Sequence, residues 1–364
     1  MDKIKIYMCL LCCGTILLSG CNNSTAKSEE VQQVQKEIND YLSVDVNYEK
    51  KVEEYSQITV ERKRFTEELV QSAFFPDNNV QKRMWTNNSG FSIYNDKFEL
   101  RKNDNTFTYV YLPDYENYLF LVNRDNAIAP GVVRNDLRDY FPKEDLLSLE
   151  LEYVKEINDA YMDKLGISMV LTEYYALDKD GLNQLEQVLL PDETYEELRK
   201  MGSLPNGRFR DWEEEQEAYV LINQSSLDEV PIYNISYSTD GKVEENDFGY
   251  AWSILNKNGL IYMNVAALIG EEVERENVTV ITMAEALEKV IQMYENRFIT
   301  TSTCINHVEY IYIPVVAKDE TIILMPAWKF QTVIGEDALE TAEDDSTAVV
   351  EYTIINAVTG EVLS

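Results

Sequence analysis

The chain has 364 residues, 45% of them hydrophobic, with 24 Tyr, 12 Phe and 4 Trp, ample for one large or two medium folded domains and too much for a disordered chain. With 32 Lys and Arg against 65 Asp and Glu, its formal net charge is −33. Such a surface repels nucleic acid and anionic lipid head groups, which need many Lys or Arg phosphate contacts; it suits solubility outside a cell, cation binding or a basic partner.

At the N-terminus, MDKIKIYMCLLCCGTILLSGC, Lys3 and Lys5 precede a mostly apolar run over 6–18. That run is too short for a comfortable membrane span and has the length of a signal h-region. Leu18-Ser19-Gly20-Cys21 then resembles the lipobox of bacterial lipoproteins, in which a Cys after small residues is lipidated on its thiol and becomes the new N-terminus. The alternatives are a plain secretory peptide or a short buried helix. The resemblance implies a signal peptide over 1–20, a lipid-bearing Cys21, and a place on the extracytoplasmic face of the cell membrane. Two acyl chains on one Cys hold firmly where a single chain does not. Cys9, Cys12 and Cys13 would leave with the signal, so no disulfide framework is expected around Cys304.

A polar tether over 21–30 leads into VQQVQKEINDYLSV, where Val31, Val34, Ile38, Tyr41 and Leu42 are spaced as one face of a short helix. TEELVQSAFF is a second helical pattern, closed by Pro76. From about 84 to 123 apolar and polar residues alternate, broken by turn-rich NDN and PDYEN, as in hairpins. A long helical period ends near Gly166; a strand follows, running into an Asp180-Gly181 turn, then two helices with Pro191 between them and Asp192 as a candidate N-cap for the second. The stretch 202–216 is the best candidate for an interdomain loop, dividing a lobe over 31–201 from one over 217–364. Beyond it come strands, a hairpin turning at Asn258-Gly259, an amphipathic helix over 282–298 with Thr282 as N-cap, and three closing strands. Residues 335–346 read as a long mobile loop, and loops on rigid sheets often bind partners. Each half places a long helix before a Tyr-rich strand and a Lys-Asp turn, so a structural duplication is expected.

The closing region over 282–364, with TMAEALEKVI, LMPAWKFQTV and INAVTGEVL, resembles a PepSY-type module, a helix on a curved antiparallel sheet. YIYIPVV followed by LMPAWKF is also similar to the C-terminal region of YycH/YycI-type regulators, extracytoplasmic proteins that restrain a sensor histidine kinase. Those regulators are held by a transmembrane helix, whereas the lipobox resemblance implies that this chain is held by lipid. The resemblance implies an α+β fold of two similar lobes, each a twisted antiparallel sheet packed against helices, and a regulatory role exerted on an envelope protein. Thr359-Gly360 should turn the last strand back, with Val362 and Leu363 returning toward the core.

No set of residues shows a reaction. His307 is the single histidine; with Cys304 it could form a nucleophile pair, but no orienting third group or oxyanion loop surrounds it. ALDKDGLNQLEQ places Asp178, Asp180 and Gly181 like part of a calcium loop, yet Ala176 and Gln187 stand at its first and last ligand positions. Acidic stretches could supply a glycosidase pair or simply solvated loops. Tyr310 and Tyr312 share one strand face and Trp328 and Phe330 the face of the next, forming either a core or an apolar binding groove. The expectation is therefore a binding protein rather than an enzyme, with no metal or cofactor implied and no nucleic-acid partner. The rivals are an envelope hydrolase using paired carboxylates and a solute- or glycan-binding lipoprotein. A hydrolase should show an acidic cleft and a regulator an exposed apolar or edge-strand surface.

Overall fold

The computed structural model describes residues 31–49, 54–76, 79–85, 90–103, 106–112, 118, 140–141, 145–189, 192–201, 211–239, 241–245, 248–266, 269–335 and 349–363. The expected signal peptide over 1–20, Cys21, the expected tether over 21–30, and the 202–210 and 336–346 parts of the two expected loops lie outside them.

In chain order the first part comprises β1 (Val31–Glu37), β2 (Leu42–Glu49), β3 (Ser56–Arg62), α1 (Glu67–Phe74), β4 (Gln81–Met84), β5 (Phe91–Tyr94), β6 (Phe98–Lys102), β7 (Thr106–Tyr111), α2 (Leu151–Leu165), β8 (Met169–Leu177), α3 (Lys179–Leu189) and α4 (Asp192–Lys200). The second comprises β9 (Ala218–Leu227), β10 (Val230–Pro231), β11 (Ser236–Ser238), β12 (Val243–Glu245), β13 (Tyr250–Asn256), β14 (Gly259–Ala266), β15 (Ile269–Asn277), α5 (Met283–Glu295), β16 (Thr303–Val316), β17 (Ile322–Ile334) and β18 (Val349–Asn356).

Strand accounts for 48% of the described residues and helix for 23%, so the protein is mostly β and the expected α+β class is corrected. Main-chain pairing between long β-branched and aromatic strands carries the architecture, and the helices are few. One sheet of nine strands runs β1-β2-β16-β17-β3-β15, with β11, β12 and β18 attached. The other runs β10-β9-β13-β14-β7-β6-β5-β4, with β8 on β9. The second is antiparallel throughout, whereas β16 pairs in parallel with both β2 and β11, so the two sheets do not repeat one topology.

Nor do the sheets follow a boundary at 202–216. β1, β2 and β3 join the C-terminal strands, while β9, β13 and β14 complete the sheet begun by β4–β7. The chain passes between sheets around Ile232, which bridges Tyr312 of β16 directly after β10 has paired with β9. The expected helix at 31–44 is the β1–β2 hairpin. Asn39 Oδ1 accepts from the amides of Tyr41 and Leu42 at 2.9 and 3.0 Å, closing the turn, and Val44, Val46 and Tyr48 alternate into the core.

Other elements follow local signals. Thr66 caps α1, its hydroxyl accepting from Leu69 N, and Thr282 with Glu285 forms a reciprocal capping box on α5. Ala286, Leu287, Val290, Ile291 and Tyr294 of α5 enter the core of the first sheet, beside Val308, Trp328 and Phe330. The second sheet buries one face against α1 and α2 and the other around Tyr175, Leu182 and Trp212. Asp180-Gly181 makes no strand-ending turn but lies in the first turn of α3. Asp178 Oδ1 accepts from Gly181 N at 2.7 Å, and glycine is required because a Cβ there would lie 2.3 Å from the Tyr140 carbonyl oxygen.

Candidate interaction surface

The register Tyr310↔Trp328 and Val308↔Phe330 brings the aromatic quartet together on one face, as alternation requires. That face is the core. Tyr310, Tyr312, Trp328 and Phe330 are 5%, 2%, 1% and 0% exposed, so they line no open groove. Trp328 Nε1 donates to the Ile281 carbonyl at 3.0 Å, and its ring meets the edges of Tyr48 and Tyr310 at 5.0 and 5.5 Å between centroids. Burial drives the Tyr48 and Tyr310 phenols far above their ordinary ionisation range.

The chemistry-bearing residues are likewise held in structural roles. Cys304 is buried and His307 exposed on the same strand, and burial pushes the thiol pKa up, opposite to what a nucleophilic thiolate needs. Asp178 is spent on the first turn of α3. Among the described residues no group of three or more His, Cys, Asp or Glu side chains is arranged to hold a metal. A shallow depression lies where the β1–β2 turn meets the end of α5, lined by Asp40, Tyr41, Tyr294, Glu295 and Arg297 among others. Arg297 there is already engaged by Glu351 at 2.9 Å.

The feature without an internal assignment is the outer edge of β18. On its inner side β18 pairs with β17 from Val349↔Ile334 to Asn356↔Ala327. On its outer side the tail folds back. Gly360 at φ 73° makes the turn that the Thr-Gly pair foretells, Val362 bridges Ile355, Asn356 N donates to Glu361 O, and Leu363 N donates to Ile354 O, both at 2.9 Å. Val362 and Leu363 reach the sheet but stay exposed, against the expectation that they return to the core. The tail covers only 354–356. No strand among the described residues pairs with the outer side of 349–353, and Val349, Val350 and Tyr352 are 56%, 44% and 39% exposed there. The Lys329 ammonium sits 4.7 Å from the Tyr352 ring centroid while bonding Glu309 at 2.6 Å. Sequence reading identified this strand but not its open edge, because pairing partners are set by distant parts of the chain.

No protein-family model matches the sequence, and no curated protein does. Among solved structures, an uncharacterized protein from Eubacterium rectale superposes with a TM-score of 0.62 at 14% identity, over 91% of this chain and 93% of that one. YycH from Bacillus subtilis gives a TM-score of 0.28 at 8% identity, over 82% of this chain and 54% of that one, too low to carry an argument. The chain thus shares its fold, and by identity its fold alone, with the Eubacterium rectale protein.

Proposed function

We propose that the protein is a membrane-anchored lipoprotein on the extracytoplasmic face, attached through Cys21, that acts by binding another envelope protein as a regulatory or accessory factor. The observation that carries the binding reading is the outer edge of β18, where no strand among the described residues pairs with 349–353 and Val349, Val350 and Tyr352 are exposed. Native proteins ordinarily blunt such edges with charge, bulges or cover, so an apolar one is a place for another chain. The anchoring reading rests on Lys3, Lys5, the apolar run over 6–18 and the Leu18–Cys21 lipobox. The resemblance of 282–364 to PepSY and YycI-type modules favours a regulator.

Two measurements test it. Cys21→Ala should move the protein from the membrane fraction to the soluble one; unchanged membrane attachment would end the lipoprotein reading. In-cell photo-crosslinking from position 352 should yield one recurrent envelope protein, with position 274 on β15 as control. Adducts spread over abundant neighbours from both positions would end the binding reading.

A further inference from the structure

We infer that Asn258, at the tip of the β13–β14 hairpin, is a site of spontaneous deamidation, and that its β-linked product unfastens the end of that hairpin. This goes beyond the protein-binding reading and does not depend on it. Among the described residues Asn258 is the one asparagine followed by glycine. The Gly259 nitrogen therefore has no neighbouring side chain to shield it, and a Cβ built on Gly259, at φ 112°, would meet nothing within 4 Å. Asn258 is exposed, and no hydrogen bond among the described residues holds its carboxamide. Other turn asparagines are pinned: Asn39, Asn95, Asn103, Asn256 and Asn356 each accept main-chain amides through Oδ1. Asn256 does so from Asn258 N at 2.8 Å, which fixes the turn without using the Asn258 carboxamide.

The chemistry needs only water. Gly259 pairs with Asn256 at the last rung of the ladder, so its nitrogen is reached when that rung frays. Having given its proton to hydroxide, the nitrogen attacks Asn258 Cγ; the new C–N bond closes a cyclic imide, the Cγ–Nδ2 bond breaks, and ammonia leaves with a proton from water. Water then opens the imide at either carbonyl. Opening at Cγ gives aspartate in an unaltered main chain. Opening at the main-chain carbonyl gives the β-linked isomer, in which the chain runs through Cβ and Cγ and is longer by one carbon. Both products add a carboxylate beside Lys257 and Glu215, which lie 3.9 Å apart. The β-linked product alone upsets register, because Asn256↔Gly259 and Leu255↔Leu260 close the hairpin around it. Leu255 and Leu260 are buried, and β13 and β14 lie inside their sheet between β9 and β7.

The test incubates the full-length protein at mildly alkaline pH and follows the peptide containing position 258 by mass spectrometry, beside a urea-denatured sample. Opening a hairpin tip costs little, so Asn258 should convert in the folded protein within about tenfold of its rate in urea. Asn258→Gln should stop the conversion, because the longer side chain closes the ring poorly. An intact position 258 in the folded protein, at a time when the denatured chain has converted, would overturn the inference. The two products are then compared. Asn258→Asp reproduces the α-linked one and should unfold at the parent's urea concentration. Protein enriched in the β-linked form should unfold at a lower concentration and exchange the amides of Leu255 and Leu260 faster. Equal unfolding and equal exchange would show that the hairpin end keeps its register, and would overturn the structural half of the inference.

Discussion

Replacing Trp328 by alanine separates a core from a groove. The ring is 1% exposed, touches Tyr48, Tyr55 and Tyr310 edge-on, and donates one hydrogen bond to Ile281 O. Truncating a fully buried Trp costs about 3–5 kcal/mol, from lost apolar burial and the cavity left behind. The orphaned carbonyl adds ~1 kcal/mol. Trp328→Phe keeps most of the ring and should lose about 1–2 kcal/mol, chiefly the hydrogen bond and a small void. Against a typical total stability of about 5–15 kcal/mol, the alanine variant should fold but unfold at a clearly lower urea concentration. Equilibrium urea unfolding by circular dichroism, with slopes compared, measures both. An alanine cost under ~1 kcal/mol at unchanged slope would mean that the ring is not enclosed, and the groove reading of the quartet would return.

Further outcomes follow from single sites. Asp228 and Glu229 both sit at positive φ, 51° and 64°, in the turn from β9 to β10; Glu229→Gly should raise stability by about 0.5–1 kcal/mol in the same urea assay, and a loss would show that the glutamate side chain does more than fill the turn. Gly181→Ala should lose about 1–3 kcal/mol despite alanine's helix propensity, because its Cβ would meet the Tyr140 carbonyl oxygen; a melting temperature equal to the parent's refutes that packing. Burial pushes Tyr233 up to about 12 and Tyr48, Tyr109 and Tyr310 higher. Raised folded-state values mean that this stability is complete below the ordinary tyrosine value of 10.0 and is lost as pH rises through the folded values. Ultraviolet titration should therefore show a fraction of tyrosines ionising only together with loss of the far-ultraviolet signal, and smooth ionisation of all of them in the folded state would contradict it.

What could be read from sequence was what is encoded within a few residues. The cap at Thr282 and the apolar face from Ala286 to Tyr294 define α5, and alternation through Tyr310, Tyr312, Trp328 and Phe330 sets which side chains share a face. Which face is covered is decided by α5, just before β16, together with β2 and β3, far away in the chain, so the alternation alone left core and groove both open. The helical reading of 31–44 fails for the same reason. Val31, Val34 and Ile38 fit a helical period, but pairing of β2 with β16 overrides it. β15 escaped notice because Glu271, Glu274 and Glu276 leave no apolar alternation; main-chain pairing with β3 holds it. The open edge of β18 is a property of the finished sheet, although Val349, Val350 and Tyr352 are its local trace.

The placement of β1 and β2 bears on the order in which the molecule can assemble. Ser43 and Thr303 meet across 260 positions of chain, and β3 finds its partners in β15 and β17. A ribosome releases the opening hairpin long before the strands that flank it exist, so that sheet cannot close until the last quarter of the chain has been made. Contacts of such long range slow folding and leave strand edges bare in the interval. In a chain built this way, loss of its final strands would unmoor its first ones.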